Sequence, residues 1–281
     1  MALEKMAIGV MLAVGDDPNE SIQKVLDVGV NNAQMGRPGD EWLAADKAAK
    51  LRDKIAEMGI TITTVFCGFG GESYADIPTV RRTVGFVPPE TRSQRLAKAK
   101  EIADFAKVLG VDIVAAHVGF VPEEPDDPQY GEVVRVVGDF AAYLAQNGQT
   151  LSLETGQETA PTLLRFLNDL EADNVRVNFD PANMILYGSG DPIEALRMVG
   201  EHVVGVHAKD GKPPTEPDQL GHETPLGQGD VGIERFIRTL DAIGYEGPLT
   251  IEREITGEQQ KQDIIEARKL LERVRDEVLA G

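Results

Sequence analysis

From end to end the chain alternates two kinds of segment: short runs of apolar and β-branched residues, and longer stretches with helical spacing of their apolar positions. The runs predict strands at 7–14, 31–36, 61–69, 111–120, 149–155, 175–180, 203–209 and 248–253. Between and after them, helices are predicted at 19–28, 41–58, 90–109, 131–147, 160–170, 191–199, 232–243 and 258–279. Parallel strands cannot be joined by a tight turn and need a crossover, usually a helix, so this alternation specifies an α/β fold with a parallel sheet. Eight such units in 281 residues match a (β/α)8 TIM barrel, in which the last strand pairs with the first. No sequence-level repeat and no linker divides the chain, so residues 1–281 are expected to form a single barrel domain. The longest connections follow the third, fourth and seventh strands, on the side where βα loops build a site. The stretch GKPPTEPDQLGHETPLGQGD after the seventh strand is too rich in proline and glycine for a regular helix.

Four consecutive strands of the second half end in a side chain able to bind a metal. They are QTLSLETG with Glu154, VRVNFDPAN with Asp180, VVGVHAKD with His207 and GPLTIEREI with Glu252. Each has an ordinary alternative reading. Glu154 would serve in a salt bridge at the mouth, Asp180 as a turn cap before Pro181, His207 as a satisfied core histidine, and Glu252 in a charge cluster with Arg253 and Glu254. Their spacing favours a common role. The steps are 26, 27 and 45 residues, one strand–helix unit each, the last enlarged by the long loop. On neighbouring strands of a closed barrel the four side chains converge at the C-terminal mouth. Three carboxylates and an imidazole suit one divalent cation, Mn²⁺, Co²⁺, Mg²⁺ or Zn²⁺.

The formal net charge is −19, from 47 acidic and 28 basic residues. Nucleic acid and anionic membranes attract a positive footprint, so neither is an expected partner. A strongly anionic substrate needs local basic groups or the cation to offset the same field. Cys67 is the one cysteine, which excludes an intrachain disulfide and fits a reducing cytoplasm. The apolar run MAIGVMLAV at 6–14 lacks the charge pattern and cleavage site of a signal peptide and is read as the first strand. No other run is long enough to span a bilayer.

The strings LSLETGQET, FDPAN, VHAKDG, PLGQGDVG and LTIEREI resemble the sugar phosphate isomerase/epimerase family of the xylose isomerase-like barrel superfamily. The resemblance runs from about residue 110 to the C-terminus. It implies that Glu154, Asp180, His207 and Glu252 are the ligands of one metal ion, Mn²⁺ foremost, and that the two glutamates double as the acid/base pair. The implied activity is isomerisation or 3-epimerisation of a ketose or ketose phosphate through an enediolate that the cation stabilises. The alternative is a lyase, a keto-sugar or inosose dehydratase or a keto-glycoside-cleaving enzyme, using the same base and metal. A homodimer or homotetramer is also implied. Endonuclease IV shares the superfamily, but its further metal ligands and basic surface have no counterpart in this sequence.

Secondary candidates follow from position. His117 ends the fourth strand and is expected to contact substrate. Lys209 has the side-chain parity of His207 and is expected to face the substrate as well. Asn183 stands three residues after Asp180, where many free-sugar epimerases of the family have a histidine and some ketose-phosphate enzymes have asparagine. It is expected to hydrogen-bond a substrate oxygen. Asp210 is read as a loop organiser, His202 and His222 as structural or solvated, and Arg253 as turned away from the axis into an ion pair with Glu254 or a helix residue. The glycines of PLGQGDVG offer backbone N–H groups to an anion, and Arg81, Arg82 and Arg92 stand where a phosphate could be met.

Overall fold

A strand buried on both faces needs side chains that fill space and bring no unpartnered polar group, which is why these segments read as near-continuous apolar runs. In the computed structural model, which describes residues 3–281, they form β1 (Ile8–Leu12), β2 (Asn32–Met35), β3 (Thr61–Phe66), β4 (Ile113–Ala116), β5 (Thr150–Glu154), β6 (Val175–Phe179), β7 (Val203–Ala208), β8 (Asp210–Lys212), β9 (His222–Thr224) and β10 (Leu249–Ile251). Eight of them close into a barrel in the order β1-β10-β7-β6-β5-β4-β3-β2. The pairing of β10 with β1 is parallel and aligns Ile8 with Leu249. Every predicted barrel strand is present, each shorter than its apolar run. β8 and β9 form a separate antiparallel hairpin within the long connection after β7.

The helices are α1 (Pro18–Asp27), α2 (Ala45–Glu57), α3 (Ile77–Thr83), α4 (Pro89–Leu109), α5 (Tyr130–Asn147), α6 (Ala160–Asp169), α7 (Pro181–Tyr187), α8 (Pro192–Val199), α9 (Ile233–Ala242) and α10 (Glu258–Leu279). Among the described residues no helix is long and apolar enough to cross a membrane. Five helices start on one device. Asp17, Asp76, Thr159, Asp180 and Asp191 cap α1, α3, α6, α7 and α8 by accepting from backbone N–H groups of the first turn, with proline at the first or second helical position.

Two of these helices, α3 and α7, fall where no helix was expected. Both have seven residues, too few to show an apolar period. The turn signals were present nonetheless: Asp76 accepts from Thr79 N at 2.7 Å, and α7 runs from Asp180 and Pro181 to a left-handed Gly188.

Three arginines expected near a phosphate are otherwise engaged. The Arg81 guanidinium lies over the Phe120 ring, 4.2 Å from its centre, and Arg82 donates to the Thr79 hydroxyl. Arg92 is buried in α4 and donates to the carbonyls of Phe86 and Val87 and to Gln129. Arg95 does the same for Gly85 and Thr83. Together the two α4 arginines satisfy four carbonyls of the turn before that helix, so Arg92 is not free for a ligand. Gly85 in that turn has φ 70°, and a Cβ there would collide with the Val118 backbone.

The anion received by the PLGQGDVG loop belongs to the chain itself. Asp210 accepts from the backbone N–H groups of Gly211, Gly227, Gly229 and Val231 at 2.9–3.1 Å. Its role as loop organiser is thus visible, and those N–H groups are occupied.

Candidate metal centre at the barrel mouth

The neighbouring strands β5, β6, β7 and β10 bring four side chains to one point. Glu154 ends β5, Asp180 follows β6, His207 lies on β7 and Glu252 follows β10. One donor atom of each lies within 4.8 Å of the others. His207 Nδ1 is 3.0 Å from Glu154 Oε1, 3.4 Å from Asp180 Oδ2 and 3.3 Å from Glu252 Oε2. Two ligands about 2.1 Å from one cation and at right angles are roughly 3 Å apart, so this arrangement fits a divalent ion after small adjustments. Glu154, Asp180 and His207 are buried. Three carboxylates this close and this dry need compensating positive charge.

In the protein itself that charge comes from His207 and Lys209. Lys209 Nζ is 2.9 Å from Glu252, 2.7 Å from Glu254 and 3.7 Å from Asp180, with its side chain 1% exposed. Burial opposes charge on both basic groups, yet Glu252 and its acidic neighbours hold each well above its ordinary pKa. Burial would likewise raise Glu252, but Lys209 and His207 keep its carboxyl well below the usual range. Asp180 is shifted upward, chiefly by burial and against the attraction of Lys209 and His207.

The secondary candidates gather around this point. His117 Nε2 is 3.0 Å from Glu154 Oε2. Asn183 donates to Glu154 Oε1 at 3.3 Å and accepts from Lys209 at 3.2 Å. Its backbone N–H donates to Asp180 Oδ1. Beside the cluster opens a cavity of about 570 Å³ lined by Tyr74, His117, Asn183, Tyr187, Glu223 and Glu254, among others. His222 is exposed on β9. His202 lies in the short turn that leads into β7, at the barrel's other end. Arg253 pairs with Asp263 of α10 and with Glu223, whereas Glu254 turns to Lys209.

Several residues at the site carried little signal. Glu254 and Glu223 sit in charged segments that read as surface. Tyr74 lies in the connection after β3, and its ring is 5.9 Å from that of His117. Glu158 is buried, and burial, with some repulsion from Glu154, pushes its carboxyl up to about 8. Gln34, in the short β2, places Oε1 2.9 Å from His207 Nε2.

A closed parallel barrel with three carboxylates and an imidazole converging at its mouth defines a TIM-barrel protein with a candidate divalent-cation centre. The chain belongs to the Xylose isomerase-like TIM barrel family, whose profile matches residues 22–274. A solved xylose isomerase domain protein from Planctomyces limnophilus is 45% identical, covers 99% of this chain and 100% of its own, and superposes with a TM-score of 0.94. Among curated proteins, the uncharacterized protein YihM of Escherichia coli (strain K12) is 27% identical over 158 residues, 54% of this chain and 48% of that one. The match thus spans about half of that relative. An L-ribulose 3-epimerase structure shares the fold, with a TM-score of 0.74 at 18% identity over 98% of this chain and 96% of that one.

Proposed function

We propose that this chain is a metal-dependent isomerase or 3-epimerase of a ketose, moving a proton between substrate carbon and two glutamates. The observation that carries the reading is that Glu154 and Glu252, from strands three places apart in the barrel, approach the same imidazole nitrogen at 3.0 and 3.3 Å beside an open cavity. A divalent cation held by Glu154, Asp180, His207 and Glu252 supplies positive charge that stabilises the negative charge developing on a substrate oxygen as a C–H proton leaves. Glu252, kept ionised by Lys209, is the base that takes this proton. Glu154 returns a proton to the opposite face and exchanges its own through His117, which lines the cavity. Asn183 orients Glu154 and hydrogen-bonds a substrate oxygen.

The cavity supports an uncharged sugar over a sugar phosphate. Glu223 and Glu254 contribute acidic groups to its wall, none of its lining residues is lysine or arginine, and the charge of Lys209 is engaged by carboxylates. Tyr74 and Tyr187 offer apolar ring faces for the C–H side of a sugar ring.

The test follows ketoses, ketose phosphates and keto-glycosides in D₂O by NMR and mass, using Mn²⁺-loaded protein and an EDTA-treated control. Cation-dependent deuterium at C3 with an epimer appearing supports the epimerase. Deuterium at C1 or C2 with aldose formation supports the isomerase. Loss of water or of an aglycone replaces the reading with the lyase. No exchange with any compound sinks it.

A further inference from the structure

His207 is held on three sides. The Phe66 ring stacks on the imidazole at 5.4 Å and 29°. Three carboxylate oxygens surround Nδ1. On the far edge, Nε2 meets Gln34 Oε1 at 2.9 Å. A carbonyl oxygen only accepts, so with the Gln34 amide in this orientation the Nε2 proton is the donor. The Gln34 amide is itself fixed, because its NH₂ group donates to Asn178 Oδ1 at 3.1 Å. Gln34 and Asn178 are buried inside the barrel, and the space for this amide pair exists because residue 205 is glycine. A Cβ there would collide with Asn178 Oδ1 and come within 3.2 Å of Gln34 Nε2.

We propose that Gln34 is a positioning residue for the candidate cation centre: by accepting the Nε2 proton of His207 it fixes the imidazole with Nδ1 turned toward the three carboxylates, so that Nδ1 is the nitrogen a cation meets. The inference rests on reading those four side chains as a cation site. β2 is separated from β7 by β1 and β10 in the barrel order, so the hydrogen bond crosses the interior and ties the ligand strands to the opposite wall. Without the acceptor, the buried Nε2–H would have no partner and the ring would lose the contact that holds its orientation toward the carboxylates.

Two measurements test this with the whole chain and Zn²⁺ as probe. The first is long-range ¹H–¹⁵N NMR of ¹⁵N-histidine-labelled, Zn²⁺-loaded wild type. A proton on His207 Nε2 with the metal on Nδ1 is expected, and the reverse assignment overturns the inference with no variant involved. The second is calorimetric Zn²⁺ titration of Gln34→Met, which keeps the volume but lacks the acceptor, beside Gln34→Glu, which restores an acceptor oxygen. The expected result is affinity about 10–100-fold weaker for Gln34→Met, recovered in large part by Gln34→Glu. Gln34→Met binding as tightly as wild type would overturn the inference while leaving the proposed function standing. Failure of the wild type to take up Zn²⁺, Mg²⁺ or Mn²⁺ would instead remove the cation site, and both readings with it.

Discussion

Glu252 lies 2.9 Å from a buried lysine, whereas Glu154 lies 3.0 Å from a partly exposed histidine and 3.3 Å from an amide. Both carboxylates stand at strand ends and approach the same imidazole nitrogen. Their partners suit different work. A lysine held by three carboxylates is a fixed charge, and the acid beside it stays ionised. Glu154 instead has a cavity-wall histidine and an amide as partners, apart from the His207 it shares with Glu252, and in the proposed mechanism His117 passes it a proton. Two like groups whose surroundings differ in this way are how a site separates base from acid.

The largest expected effect tests that division. Under saturating Mn²⁺, Glu252→Gln should slow solvent exchange of the substrate C–H by about 10²–10⁴-fold. Glu154→Gln should still exchange the proton but form no epimer, so equal loss of exchange in both variants would erase the distinction. Next is the fixed charge. Lys209→Met leaves buried carboxylates uncompensated, and urea unfolding of EDTA-treated protein should show a loss of about 3–5 kcal/mol, partly restored by Mn²⁺. Unchanged stability would mean that the lysine does not neutralise the cluster.

Glu158 extends the comparison to a carboxyl with no cation, since among the described residues no basic side chain forms an ion pair with it. Its folded pKa of about 8 exceeds the ordinary 4.5, so the folded state binds more protons than the unfolded between those values. Stability from this group is therefore complete below pH 4.5 and lost as pH rises through 8, by up to about 5 kcal/mol. In metal-free protein, Glu158→Gln should flatten the fall in melting temperature between pH 5 and 8, and an unaltered slope would refute the assignment. The smallest effect is at His117. His117→Phe should lower turnover about tenfold while leaving Mn²⁺ affinity nearly intact, and undiminished turnover would remove the relay.

The barrel was legible because its strands are apolar runs at one repeating interval, and the four candidate ligands because each interrupts such a run at its end. Other features left weaker traces. Seven-residue helices such as α7 have no period to detect, although Asp180, Pro181 and Gly188 mark the ends of that one. Gln34 is a polar residue in a four-residue strand, and its meaning depends on Asn178 and Gly205, both far from it in sequence. Glu254 and Arg253 lie side by side in one charged run, and only the alternation of the chain separates them. One turns inward to Lys209, the other outward to Glu223 and Asp263. Arg92 looked like an anion-binding group because a sequence does not display the carbonyls of a neighbouring turn.

Asp180 places one oxygen against the first turn of α7 and the other against His207. That helix carries Asn183, Leu186 and Tyr187 into the cavity wall. The candidate cation cluster and the wall of the neighbouring cavity are therefore joined by a single carboxylate acting as a rivet. A change in ion size or coordination that shifts Asp180 also shifts the start of α7. On the proposed reading, the shape presented to a sugar would thus be geared to whatever ion Asp180 helps to hold.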